Sequence, residues 1–179
     1  MRFLSLAPIV MLATLAFAAG GGSSRAQSAA REIPQSIAVE HADTMERLVA
    51  LSKRKGPVGV EARKATDLFR RHIAREHDYI LPPLTLLPEL ADGKVTPDMA
   101  WALPMCDRVK ADREQIFEEH TKVTDAMNAL MTAGLRAHDK QAVDFAKGAV
   151  ADSLNDIEIE EPAVMLVGDY LRAKLPTPR

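Results

Sequence analysis

The amino-acid sequence predicts an all-α protein, folded as an antiparallel up-down-up-down four-helix bundle. Three observations predict it. Apolar residues recur every three or four positions from about Ser36 to the C-terminal prolines, the spacing of a single helix face. Glycine is scarce within those stretches, while Gly56-Pro57, Pro82-Pro83, Gly134 and Pro176 punctuate them where helices should stop. Finally, Glu40-His41 recurs as Glu119-His120. After each comes an amphipathic stretch, then a further stretch carrying a polar pair at i, i+4, so the chain reads as two similar αα-hairpins.

The first segment stands outside that fold. Met1-Arg2 is a short basic start, Phe3 to Ala19 is apolar apart from Ser5 and Thr14, and small residues follow. Residues 1–28 are therefore expected to be a secretory signal peptide. Cleavage after Ala18 or after Ser28 fits, and Ser28 is favoured because the apolar run ends well before it. The run is slightly short for a spanning helix, which needs about 20 apolar residues. Residues 29–179 then form one domain in the bacterial periplasm, with no membrane span in the mature protein.

Helix A is expected from Ser36, its N-cap, to just before Gly56, with Ile37, His41, Met45, Leu48 and Leu51 on its apolar face. Helix B runs from about Val58 to Leu81, where Pro82-Pro83 stops it, and carries the stripe Ala65, Phe69, His72, Glu76, Ile80. Leu84 to Gly93 is a Leu/Pro-rich connection. Thr96-Pro97-Asp98 opens a helix that Pro104 breaks or kinks, so helix C proper runs from about Met105 to Ala133 and buries Ile116, His120, Val123, Met127 and Leu130. Helix D starts near Asp139 and reaches Lys174, bent or interrupted at Pro162.

Composition narrows the function. A net charge of −2 and 4% aromatic residues give neither the basic footprint nor the stacking surface that nucleic acid needs. The single Cys106 excludes an intramolecular disulfide and has no triad partners nearby. Met99, Met105, Met127 and Met131 read as core filler, and the charged run Asp107 to Glu119 as a solvated helix face.

The informative residues are histidines on apolar stripes. His41, His72 and His120 each fall on the buried face of a different expected helix, and an unpaired polar group there carries a desolvation cost. His72 and Glu76 share one helix face, as do Asp156 and Glu160. One such pair is commonly a surface ion pair. Its repetition in both hairpins makes His41, His72, Glu76, His120, Asp156 and Glu160 six metal-ligand candidates from four helices, a number suited to a binuclear centre. His77 is turned roughly 100° from Glu76 and reads as a rim residue. His138, beside Asp139, reads as solvated.

Ile33-Pro34 ahead of Glu40-His41, then HIAREHDYILPP (His72 to Pro83), Glu119-His120 and DIEIEEPAVM (Asp156 to Met165) resemble the hemerythrin-like (HHE cation-binding) family. The resemblance spans roughly Ile33 to Leu171. It implies a non-haem centre of two iron ions that binds dioxygen or a related small molecule. Two departures alter that expectation. Asp156 stands where the family usually has His, and Ile116 and Thr124 stand where some members carry a further His beside the helix C ligand. Three histidines with three carboxylates make a harder, more anionic set that favours Mn, Mg, Zn or a more easily oxidised iron pair and points away from reversible dioxygen carriage.

The function expected is an exported metal-binding protein that binds or senses O₂, NO or peroxide, or holds iron. The alternative is a helical binding or structural bundle whose site is degenerate and metal-free. An oxidase or peroxidase-like activity ranks last, because no acid or base beyond the ligands points to one.

Overall fold

The structure is a computed structural model that describes residues 31–176. Among the described residues it consists of helices and short connections, with no strand. The expected signal peptide lies outside the described residues. No helix among the described residues is long and apolar enough to cross a membrane.

Helix α1 (Gln35–Ser52) begins directly after Pro34, whose carbonyl accepts the Ala38 N–H at 3.0 Å. It buries His41, Leu48 and Leu51 along one stripe. The turn that follows needs Gly56, whose φ of 77° is left-handed backbone that other residues adopt at a cost. Gly59 is equally constrained, because a Cβ there would lie 1.8 Å from the Arg54 carbonyl oxygen. The α1–α2 loop thus closes directly on bare helix backbone.

Helix α2 (Pro57–Arg75) starts with Pro57 in its first turn and buries Val58, Ala62, Ala65, Thr66, Phe69 and His72. Where the sequence predicts one helix to Leu81, the structure inserts a π-turn at Glu76–Ile80, and the Leu81 N–H donates to the Glu76 carbonyl at 2.9 Å. Pro82 supplies the reason. It lacks an N–H, and its ring crowds the carbonyl four residues back, so an α-helix running into it is under strain that a wider turn relieves. A 3₁₀ turn (Pro82–Leu86), the short helix α3 (Leu87–Ala91) and a second 3₁₀ turn (Pro97–Trp101) cover one end of the molecule.

Helix α4 (Ala102–Arg136) has 35 residues, about 52 Å at 1.5 Å per residue. The break expected at Pro104 is absent. Pro104 falls in the first turn, where backbone N–H groups have no intrahelical acceptor to lose. Gly134 lies inside the helix, and a Cβ there would meet Val143 Cγ2 at 3.0 Å, so α4 and the next helix approach closely. Helix α5 (Lys140–Asn155) is capped by Asp139, whose carboxylate accepts the Ala142 N–H at 3.1 Å. The single helix D of the sequence reading is in fact α5, a π-turn (Asp156–Glu160) and α6 (Glu161–Lys174). Pro162 again follows the wide turn by two residues.

Helix α4 packs along α2, α5 and α6, while α1 lies mainly on α2 and touches α5 only lightly. Two apolar clusters result. One joins Leu48, Leu51, Val58, Phe69, Val123, Met127, Leu130 and Ala146. The other joins Tyr79, Leu81, Leu84, Cys106, Val109, Ile116, Val164 and Leu171, with Ile37 packed against it. The buried ionisable residues fall between the two: His41 in α1, His72 and Glu76 in α2 and its π-turn, His120 in α4, and Glu161 at the start of α6. A polar layer shut between two apolar cores must be internally satisfied or ligated to be tolerated.

Candidate metal centre

Glu76 is the hub of that layer and is only 2% exposed. Its Oε1 lies 3.1 Å from His72 Nε2 and 4.0 Å from His120 Nε2, while its Oε2 lies 3.4 Å from His41 Nε2. His72 and His120 meet edge to face, with ring centroids 4.5 Å apart. From the far side Asp156 Oδ2 stands 4.0 Å from His120 Nδ1, and Glu161 Oε1 stands 3.0 Å from His120 Nε2. One ligand atom from each of His72, Glu76, His120 and Asp156 lies within 4.8 Å of all the others. Two imidazoles and two carboxylates make a borderline donor set, suited to iron, manganese or zinc.

The hydrogen bonding of the layer is incomplete. Glu76 Oε2, both ring nitrogens of His120 and Glu161 Oε1 are buried without a hydrogen-bond partner. A buried polar atom left unmatched costs on the order of 1–3 kcal/mol. Four such atoms on three neighbouring residues, Glu76, His120 and Glu161, are better accounted for as ligand atoms than as packing accidents. These residues fit a metal ion.

No family model matches the chain, and no curated protein or solved structure matches it at a significant level. The chemistry of the cluster therefore rests on its own residues.

Electrostatics divides the carboxylates into two kinds. Burial works to raise the Glu76 carboxyl, but the His72 hydrogen bond and the charges of His72, His41 and His120 outweigh it, and the group is held below its usual value. Asp156 goes the other way. Burial, then repulsion from Glu76, Glu160, Glu40 and Asp152, pushes it up to about 9. Glu160 is raised to about 7 by burial and by Glu76 and Glu40. Glu40 is raised by burial, Asp152 and Glu76. His41 is lowered to about 4, chiefly by burial. The π-turn at Asp156–Glu160 thus places acids that ionise readily only beside a cation.

The structure brings four of the six sequence candidates into the tight group. The fifth, His41, is buried and reaches it through Glu76. Glu160 is half-buried and lies outside that group, while its neighbour Glu161 is buried against His120. The π-turn explains the exchange. In an α-helix, residue 160 would share a face with Asp156. A π-turn takes one more residue to close, so residue 161 does. The α-periodicity of the sequence reading passes over Glu161, although Pro162 was a signal that the helix cannot stay regular there.

Beside His41, His72 and Asp156 lies a cavity of about 20 Å³ whose other walls include Phe69, Val123 and Met127. That is room for about one water-sized molecule. Of the remaining residues singled out in the sequence, His138 is exposed in the α4–α5 turn. Cys106 is buried, which pushes its thiol up to about 11 and removes it as a nucleophile.

Proposed function

We propose that this chain is an exported hemerythrin-like protein that binds two metal ions, iron foremost with manganese or zinc as alternatives. There it binds or senses O₂, NO or peroxide, or holds iron. The observation that carries this reading is the group His72, Glu76, His120 and Asp156, with one ligand atom of each within 4.8 Å of the others and with Glu76 Oε2, both His120 nitrogens and Glu161 Oε1 buried and unmatched around it.

The order of the apolar clusters along the chain supports an antiparallel up-down-up-down four-helix bundle. Helices α1 and α4 run from the Ile37/Ile116 cluster toward the Leu48/Leu130 cluster, and the α2 and α5–α6 arms run back. Facing helices of such a bundle are where metal sites are built. His72, Glu76, His120 and Asp156 would hold one ion. A second ion would be held by the other oxygen of Glu76, turned to His41, with Glu161 and Glu160 as further acids. Bound ions would supply open positions for a small ligand and, for iron, redox chemistry. The residues supply the rest: Glu76 fixes the imidazoles, the small cavity beside His41, His72 and Asp156 limits what fits, and Asp156 and Glu161 balance cationic charge. The apolar Phe3–Ala19 run supports export.

The test is metal content of protein purified from its native compartment, followed by anaerobic iron loading and exposure to air. Iron bound at about two per chain, with a new visible charge-transfer band, is expected. Absence of metal, with identical melting in the presence and absence of chelator, would instead establish a metal-free helical binding protein. Mass spectrometry of the same material reads the mature N-terminus, expected after Ser28.

A further inference from the structure

His41 is held from two sides. Its Nε2 faces Glu76 Oε2 at 3.4 Å, and its Nδ1 lies 3.0 Å from Nε2 of His77, with the two rings nearly parallel at 13°. Phe69 closes a third side edge-on, its centroid 5.8 Å away. His77 itself is half-buried and lines an open groove with Ile33, Gln35 and Ala38. It sits in the π-turn one residue after Glu76, so the wide turn presents two consecutive side chains, Glu76 and His77, to the two nitrogens of one imidazole.

That geometry has a chemical consequence. One proton lies between His41 Nδ1 and His77 Nε2, and a neutral His41 carries its N–H on one nitrogen only. If His77 accepts, His41 is the Nδ1–H form and its Nε2 lone pair points into the cluster. If His77 donates, His41 must carry its proton on Nε2, where it blocks ligation. We propose that His77 is the positioning residue for His41: it accepts the Nδ1–H bond and so turns His41 Nε2 into a metal-ligating atom. This rests on the metal-binding reading above and adds to it a residue outside the ligand set. Metal-ligating histidines are commonly oriented this way by an acceptor on their other nitrogen, whose loss weakens metal binding about 10–100-fold.

Zinc(II), being diamagnetic, is the probe. In ¹⁵N-labelled full-chain protein loaded with zinc, long-range ¹H–¹⁵N correlation should show His41 protonated on Nδ1 and ligated through Nε2. His77→Leu should weaken zinc binding by about 10–100-fold. His77→Gln, whose amide oxygen can accept the same bond, should stay within about threefold of wild type. Metal-free melting of both variants reports whether either change merely unsettles the fold. His41 protonated on Nε2 in the zinc-loaded wild type, or His77→Leu binding zinc as tightly as His77→Gln, overturns the proposal while leaving metal binding intact. The spectrum decides even if His77→Leu does not fold. Failure of the wild type to take up zinc overturns both this proposal and the reading it rests on.

Discussion

The two π-turns are the same backbone device put to opposite electrostatic use. Each opens with a carboxylate that faces the buried cluster, Glu76 or Asp156, and each opens six residues ahead of a proline, Pro82 or Pro162. Each closes through a backbone bond to that carboxylate residue's own carbonyl, from the N–H of Leu81 or Glu161. The settings differ. Glu76 is buried among three histidines that hold it below its usual value. Asp156 is less buried, and the groups that act on it are carboxylates, which with burial push it up to about 9. The first turn therefore keeps a settled negative charge in the core. The second keeps an acid that is neutral until something positive arrives. Wide turns of this kind recur at functional positions in helices because they re-aim side chains without ending the helix.

The sharpest way to break the comparison is to remove each carboxylate's charge in turn. Glu76→Gln should abolish metal binding and also destabilise the metal-free protein by about 2–3 kcal/mol, since it strips the shared partner from buried His41 and His72. At this chain length that lowers Tm by roughly 5–10 °C. Asp156→Asn should also lose metal, but at pH 8 it should raise the metal-free Tm by a few degrees, on the order of 1–2 kcal/mol. Two losses of metal with opposite signs in apo stability would be hard to obtain from packing alone. Destabilisation of similar size by both substitutions would show that the two turns are equivalent after all.

The same contrast sets the pH dependence of the metal-free protein. Asp156 and Glu160 have folded values above their unfolded ones, about 9 and about 7, so the stability they permit is complete below about pH 4 and is lost as pH rises through those values. His41, lowered to about 4, has the reverse sign: its contribution is complete above about pH 6.5 and is lost on acidification toward pH 4. Glu76 likewise loses its contribution as acid protonates it. Above about pH 5 the two raised acids together outweigh His41, so metal-free Tm should pass through a maximum at about pH 4–5 and fall as pH rises further. Because the ligands must be deprotonated, the gain in Tm on adding metal should be larger at pH 8 than at pH 5. A gain independent of pH would mean that the acids of the second turn are not ligands.

Asp156→His gives a smaller effect. It replaces an acid that must be ionised by a neutral donor, and should raise iron affinity by roughly tenfold, the equivalent of about 1.4 kcal/mol. Equilibrium iron titration checks it, and unchanged or weaker affinity would show that a carboxylate is what the position requires.

Much of the architecture was legible because it is written in period and punctuation. Leu48 and Leu51, Ala65 and Phe69, and Ile116, Val123, Met127 and Leu130 are buried as their stripes require, and the Pro57, Pro82 and Asp139 boundaries hold within a residue or two. The three striped histidines are buried as well. What a fixed period of 3.6 cannot express is a turn that uses one residue more. Once Glu76 and Asp156 each open a π-turn, the repeat aligns Glu76 with Asp156 and Pro82 with Pro162, rather than His72 with Asp156. The residue matching His72 is then Asp152, which is exposed. The proline six residues on was the available clue. Pairing between His41 and His77 had no such clue, since it depends on how α1 lies across the first wide turn.

The smallest expected effect is the most direct test of that register. Glu160→Gln and Glu161→Gln remove the same group from adjacent positions. If the helix opens at Asp156 as a π-turn, Glu161 faces His120 at 3.0 Å and Glu160 stands off to the side, acting only through its charge. Glu161→Gln should then weaken metal binding by about tenfold, the loss of roughly 1.4 kcal/mol at one ligand atom. Glu160→Gln should change affinity by about twofold at most, and slightly raise the metal-free Tm above pH 7, where burial and its acidic neighbours oppose its ionisation. Isothermal titration with zinc measures both. The reverse order would place Glu160 on the inner face, which requires regular α-helix through Pro162 and removes the likeness between the two turns.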